Sequence, residues 1–266
     1  MKLSVNLNKI ALLRNSRGSN TPCLEAYANK AISLGVDGLT LHPRPDHRHA
    51  TSNDALNIGS LCKEKSLEFN LEGNPFSDPR HDFLGFYELC LQAKPDQITL
   101  VPDAEGQLTS DSGWKPGFRD SELKSFIAKI NELNCRTSLF INADIESVEY
   151  ASEMNFDRVE IYTGPFARAY LLDKNELQIN CDKIKEVINR AQDLELGVNA
   201  GHDLSLDNIE ALKSCVWVSP PKDMAVENAG PIEREPSATR PISLKYVANQ
   251  MIYKPFILIN RNRNAY

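Results

Sequence analysis

Five histidines occur in 266 residues, and several stand where short apolar runs end. His42 closes GLTLH, and His202 follows LGVNAG. His47 and His49 crowd the segment PRPDHRH together with Arg44 and Arg48. Glu72 closes FNLE, Glu160 lies inside RVEIY, and Asn6 lies in the first such run, with Arg14 and Arg17 soon after it. Imidazole and carboxyl groups move protons between carbon and oxygen near neutral pH. Guanidinium forks pair with phosphate oxygens. The combination suits a small phosphorylated carbonyl substrate. A single histidine at a strand end is more often a packed residue than a catalyst, and a single arginine pair is more often a solvated face. The recurrence of such residues at the ends of successive runs shifts the balance toward chemistry.

That recurrence demands elements that bring the run ends together. β-like runs are expected at residues 3–7, 38–42, 67–72, 97–101, 136–141, 158–162 and 196–200. Helices are expected between them, at about residues 22–34, 53–65, 81–93, 120–134, 144–154 and 182–193, the first capped by Thr21 with Pro22 in its first turn. Leu123, Phe126, Ile127, Ile130 and Leu133 form one apolar stripe. Strict alternation of strand and helix implies parallel strands with right-handed crossovers. Seven such units in about 200 residues favour an α/β barrel over an open doubly wound sheet. Functional groups of a barrel gather at the C-terminal ends of its strands, where the residues named above fall.

Composition narrows the partners. The chain carries 30 Lys and Arg against 36 Asp and Glu, a net charge of −6, with 41% hydrophobic residues. This mildly acidic balance favours neither nucleic acid nor a membrane surface. An anionic substrate therefore needs local positive charge. The N-terminal segment MKLSVNLNK lacks the apolar run of a signal peptide, and no stretch is apolar enough to span a bilayer. The six cysteines, at 23, 62, 90, 135, 181 and 215, are widely and irregularly spaced, which argues against a disulfide framework or a zinc motif. A reduced, cytoplasmic protein is expected. His42, His49, Glu72 and His202 could ligate Zn²⁺ or Mn²⁺, but they come from separate runs and no spacing motif supports a metal. No glycine-rich nucleotide loop is present, so no cofactor is expected.

Seven segments, in order, resemble one known family. They are SVNLNKIALLRNSRG (4–18), DGLTLHPRPDHRH (37–49), FNLEGNP (69–75), ITLVPD (98–103), LTSDSGW (108–114), RVEIYTGPFA (158–167) and VNAGHDL (198–204). Together they are similar to pyridoxine 5′-phosphate synthases of the PdxJ type over about residues 3–212. The resemblance implies a TIM (β/α)8 barrel with extra helices, assembled as a homo-oligomer, an octamer of dimers. It implies condensation of 3-amino-2-oxopropyl phosphate with 1-deoxy-D-xylulose 5-phosphate to give pyridoxine 5′-phosphate, phosphate and water, without metal or organic cofactor. Residue by residue, His42 matches the family's proton acceptor, Glu72 a second acid/base group, His202 the proton donor and Glu160 a group that stabilises the transition state. Asn6 and Arg17 match contacts to deoxyxylulose phosphate, with Arg17 on its phosphate. Arg44, His49 and Thr109 match further substrate contacts.

Departures from the family fall at three places. Asn8-Lys9 stands where Asp-His is common, and Lys9 remains able to meet a phosphate. Asp203 stands where glycine is usual, next to His202, and its charge is expected to oppose a phosphate there. The family's eighth strand ends in a Gly-His motif whose backbone amides hold a phosphate, followed by a final helix. Here the corresponding segment reads CVWVSPP, and its prolines have no N–H to give. The chain is accordingly divided into a barrel, residues 1–214, and an atypical tail, residues 215–266. A replacement strand is expected at 215–219, then loop or disorder, so that the eighth βα unit is atypical or missing. The tail reads as coding in another frame, as a natural replacement or as a fusion. Two outcomes are open: an active synthase with a substitute strand and phosphate site, or an impaired homologue whose barrel does not close. Another phosphosugar-converting barrel, such as an isomerase, is the third.

Overall fold

Polar and apolar residues alternate along the strands, and that alternation decides which way each side chain faces. In the computed structural model, which describes residues 2–103, 106, 107, 109–216 and 243–247, eight parallel strands close into a barrel in sequence order. They are β1 (Lys2–Asn6), β2 (Gly38–Leu41), β3 (Glu68–Gly73), β4 (Gln97–Leu100), β5 (Arg136–Ile141), β6 (Arg158–Tyr162), β7 (Gly197–Gly201) and β8 (Ser243–Val247). Leu39, Leu41, Leu71, Ile98, Leu100, Leu139, Ile141, Val159, Ile161 and Val198 join the core shared with the helices. Many of the alternate residues are polar and meet inside the barrel, with Phe140 and Tyr162 among the exceptions. Ser4 Oγ lies 2.8 Å from Thr40 Oγ1, while Thr99 Oγ1 and Gln97 Nε2 donate to Asn70 Oδ1 at 2.8 and 2.9 Å. Arg158 donates from Nη2 to Asn199 Oδ1 at 2.9 Å. Buried polar groups are tolerable because they satisfy one another.

The helices are α1 (Asn8–Ser16), α2 (Leu24–Ser33), α3 (Ser52–Glu64), α4 (Phe86–Ala93), α5 (Asp120–Ile130), α6 (Ile145–Glu153), α7 (Gly164–Leu172), α8 (Lys174–Asp193) and α9 (Ile209–Val216). Several start where local chemistry places them. Thr51 and Asp54 form a reciprocal capping box on α3. Asp144 caps α6, accepting from Ser147 N, as expected for an Asp just before an apolar stripe. Asp173 caps α8, accepting from Asn175 N and Glu176 N. This puts the start of α8 eight residues before the expected one at 182. Three helices were not anticipated, α1, α7 and α9. α1 opens at Leu7 without a side-chain cap, and α7 carries Pro165 in its first turn directly behind β6. Helix α2 opens from Cys23 rather than from Thr21.

The seven expected strands are present, two with the expected bounds and none more than one residue off at either end. The eighth unit is atypical, as expected, but its strand lies elsewhere. Cys215 and Val216 end α9, and residues 217–219 lie outside the described residues. The strand between β7 and β1 is β8, which pairs with β1 from Lys2↔Ser243 to Asn6↔Val247 and with β7 at Asn199↔Ser243 and Ala200↔Leu244. The expected loop after residue 219 also lies outside the described residues, up to β8.

A second correction concerns the cysteines. Cys181 of α8 and Cys215 of α9 are joined in a disulfide, 34 residues apart in sequence with Cα atoms 5.2 Å apart. Side-by-side packing of α8 on α9 makes neighbours of two cysteines whose spacing carries no pattern. Among the described residues, no helix is long and apolar enough to cross a membrane.

Candidate active site

His42 follows β2 by one residue and is buried, 5% exposed, among groups from four other elements. Its backbone N–H donates to Asn8 Oδ1 at 2.9 Å, so the start of α1 holds the strand end. Glu72, in β3, brings Oε2 to 3.9 Å from His42 Nδ1. Asn6, at the end of β1, donates from Nδ2 to the same Glu72 oxygen at 3.5 Å, and its own Oδ1 accepts from Asn8 N at 2.9 Å. On the other side of the ring, Asp103 Oδ2 lies 3.5 Å from His42 Nε2 and forms an ion pair with Arg44. His49 packs edge-on against His42, with ring centroids 5.8 Å apart. Four of the five strand ends or loops involved carry a residue expected from the sequence. Asp103 is the exception.

Arg44 is buried and spans toward the loop after β4, donating from Nη1 to Gln107 O at 3.0 Å. Burial lowers its pKa from the ordinary guanidinium value, and Asp103 opposes that. An arginine stays protonated through such a shift. Burial raises the Asp103 carboxyl above its ordinary value, against the pull of Arg44.

His49 is governed by burial first and by Arg44 second, and these hold its imidazole down to about 3 from an ordinary 6.5. It is therefore neutral at physiological pH. The depressed pKa makes the unfolded chain the stronger proton binder between about pH 6.5 and 3. Stability rises with pH wherever the unfolded state binds more protons. Acidification through that window is thus expected to destabilise the fold by up to about 1.4 kcal/mol per pH unit. Urea midpoints at pH 7, 5 and 4 should fall more steeply for the parent chain than for His49→Gln. Parallel curves would refute the assignment.

A second group forms around His202, just after β7. Its Nε2 lies 2.9 Å from Thr109 Oγ1. Its ring packs edge-on against Tyr162 at 5.0 Å and tilted against Phe140 at 6.4 Å. Thr163 Oγ1 donates to the carbonyls of Gly201 and His202, tying the β6 and β7 ends together. His202 and Asp203 both adopt left-handed backbone, with φ of +86° and +55°. Asp tolerates that conformation better than most residues, so it can occupy a position where glycine is usual. Asp203 Oδ2 lies 3.1 Å from His202 Nδ1, an ion-pair approach off the hydrogen-bond direction. Contact with His202 lowers the Asp203 pKa, and Lys9 and Arg168 add to this. Lys9, on α1, is pulled down by burial and supported by Asp203. Positive groups thus oppose the Asp203 charge, which bears on the expected repulsion of phosphate.

The loop after β4 joins the two groups. Asp103 meets His42 and Arg44, Ser110 donates to Asp103 Oδ2 at 3.0 Å, and Thr109 meets His202. Beside it lies a cavity of about 460 Å³ lined by His42, Arg44, Arg48, Asn74, Phe76 and Asp103. Glu160 is buried in the barrel interior on β6, level with Phe140 and Asn199 in the neighbouring strands. Two cations stand apart. Arg17 is exposed at the far end of α1 from Asn8 and is not brought to the others. Arg14 forms a two-point pair with Asp54, at 2.6 and 2.7 Å, and so braces the cap of α3. Among the described residues, no three His, Cys, Asp or Glu side chains are grouped so as to hold a metal ion.

Asp103, Tyr162 and Thr163 belong to the site but were not singled out in the sequence. Each lay inside a quoted segment, ITLVPD or RVEIYTGPFA, at or just past the C-terminal end of a strand. Position at a strand end was the available signal.

Comparison with known proteins shows what the chain is similar to in fold and in sequence. Thiamine phosphate pyrophosphorylase from Pyrococcus furiosus superposes with a TM-score of 0.52 at 12% identity, covering 94% of this chain and 87% of that one. A Mycobacterium tuberculosis tryptophan synthase structure gives 0.54 at 9% identity, covering 92% and 82%. Both show the shared fold alone. In sequence, the chain is 44% identical over 209 residues to pyridoxine 5′-phosphate synthase of Xanthomonas oryzae pv. oryzae (strain MAFF 311018), covering 79% of this chain and 81% of that protein. It is 41% identical over 208 residues to the protein of that name in Xylella fastidiosa (strain 9a5c), covering 78% and 79%. The family model described as pyridoxal phosphate biosynthesis protein PdxJ matches residues 3–219, which include all of the strand ends that build the site. The chain belongs to the PdxJ family.

Proposed function

We propose that the chain is a pyridoxine 5′-phosphate synthase, joining 3-amino-2-oxopropyl phosphate to 1-deoxy-D-xylulose 5-phosphate with loss of phosphate and water. The observation that carries this reading is the pair of histidines at one barrel mouth, His42 between two carboxylates and His202 beside Thr109, in a chain 44% identical to a protein of that activity. Imine formation, dehydration and aromatisation each need protons taken and returned, which positioned imidazole and carboxyl groups supply. In this scheme His42 accepts a proton, Glu72 acts as a second acid/base group, His202 donates one and Glu160 stabilises the transition state. Asn6, Asn8, Lys9, Arg17, Arg44, His49, Thr109 and Asp203 contact the substrates or set their surroundings. Lys9 on α1 and Arg44 in the loop after β2 supply positive charge, and Arg17 would reach a substrate phosphate only in an assembly or a conformation that moves it. Exposed Leu171 and Leu172, 78% and 83% accessible at the end of α7, offer apolar surface for a homo-oligomer.

Closure of the barrel by β8 favours an active enzyme over an impaired open barrel, since both neighbours of the gap are paired. The test is to mix purified full-length chain with the two substrates and follow pyridoxine 5′-phosphate and inorganic phosphate together. Equal yields of the two at a rate above the protein-free mixture are expected. Folded protein that produces neither would exclude the reading. Interconversion of one phosphosugar without condensation would point to an isomerase instead.

A further inference from the structure

Asp103 stands three residues beyond β4, where the two halves of the mouth meet. Its carboxylate is buried, and one oxygen does three things. Oδ2 lies 3.5 Å from His42 Nε2, accepts from Ser110 Oγ at 3.0 Å, and forms the ion pair with Arg44. Oδ1 is buried with no hydrogen-bond partner among the described residues. Among the described residues, the groups facing His42 include Glu72 at its Nδ1, Asp103 at its Nε2, His49 against its ring, and Arg44 beyond Asp103.

An imidazole between two carboxylates has a choice of which nitrogen carries the proton. Here the choice is unequal. Asp103 is nearer, at 3.5 Å against 3.9 Å, and the Glu72 oxygen already accepts from Asn6. The hydrogen bond made by one ring nitrogen decides the state of the other. We propose that Asp103 is a positioning residue for the reaction, accepting from His42 Nε2–H so that Nδ1 faces Glu72 unprotonated, while the same oxygen sets the Arg44 guanidinium toward an anionic group. A proton taken from substrate onto Nδ1 makes an imidazolium that Asp103 stabilises. Glu72 then accepts that proton from Nδ1, returning His42 to its starting tautomer and leaving a carboxylic acid able to protonate a departing hydroxyl. Asp103 gains no proton at any stage. Only the identity of the reaction rests on the function proposed above.

The experiment uses the full chain labelled with ¹⁵N. Long-range imidazole spectra report tautomer and titration of each of the five histidines, with His42→Gln identifying the His42 signals. The parent chain is expected to show His42 as the Nε2–H tautomer. Asp103→Asn should lower the His42 pKa by about one unit, as loss of a neighbouring opposite charge does, and mix the tautomers. Its kcat should fall about 10- to 100-fold, the usual effect of removing a group that orients a functional histidine, with the acid limb of the pH profile moving by the same unit. Asp103→Glu should restore the tautomer and part of kcat. Asp103→Ser serves the same comparison if the Asn amide, with its NH2 turned to Arg44, prevents folding. An unchanged His42 tautomer and titration in Asp103→Asn or Asp103→Ser would overturn the proposal. Absence of turnover in the parent chain would instead remove the proposed function, and the imidazole spectra would still decide the role of Asp103.

Discussion

Replacing His202 by Asn should reduce condensation by about 10² to 10⁴-fold, the usual worth of a positioned general acid, while leaving the fold intact. Asn is the informative choice because His202 sits at φ +86°, a conformation that Asn accepts and Ala does not. The loss should appear in kcat with little change in KM, since the imidazole is held by Thr109, Tyr162 and Phe140 rather than by a substrate phosphate. Asp203→Asn keeps the imidazole and removes the charge beside Nδ1. Its effect should therefore be smaller, about 10-fold, as for other groups that act on a functional histidine from behind. It should also shift the pH dependence. Far-ultraviolet circular dichroism and the melting temperature should stay close to those of the parent chain for both variants. A His202→Asn chain that keeps its kcat within about threefold would remove His202 from the role of proton donor.

A chain ending at residue 216 should not persist as a soluble monomer. It lacks β8, which is paired at five positions with β1 and at two with β7. Each backbone hydrogen bond contributes about 0.5–1.5 kcal/mol net, so the ladder loss is on the order of several kcal/mol against a typical total of 5–15 kcal/mol. The open barrel would also present two unpaired parallel edges, a template for pairing with other chains. Size-exclusion chromatography and sedimentation should show high-mass aggregates, with loss of cooperative melting. A monodisperse 216-residue product that melts like the full chain would show that β8 is not needed to hold the barrel.

Much of this architecture could be read from residue order. The strands that build the rim alternate polar and apolar residues over only four to six positions. They are nevertheless recognisable because each is bounded by helix-forming segments. The positions of His42, Glu72 and His202 were legible for the same reason, as polar groups at or near the ends of these runs, whereas Glu160 lies in the middle of one. The helices that escaped notice lack the usual signs. α1 has no side-chain cap, and α7 begins with Gly164-Pro165, a pair that reads as a loop. The disulfide was invisible because its two cysteines become neighbours only when α8 and α9 pack. β8 was misplaced because CVWV has the composition of a strand, yet its first two residues complete the amphipathic α9. Helix continuation there outweighed the local preference of two residues for a strand.

By itself, the sequence determined the class of fold and the kinds of group at the mouth, since alternation and run length depend only on neighbours along the chain. It also determined the family, through seven segments in order. The tertiary structure decided which of those groups act on one another. Asp103 lies 61 positions from His42 in sequence, but parallel strands set their ends side by side, and the chain order of β2, β3 and β4 carries no record of distances across the mouth. The same holds for Arg14, which the fold spends on Asp54, and for Arg17, which it leaves exposed. It holds for Asp203, whose carboxyl pKa is lowered by His202 first and then by Lys9 and Arg168 of α1 and α7. Charge balance and proton direction depend on separations of a few ångströms, and only barrel closure brings residues from different strands that near.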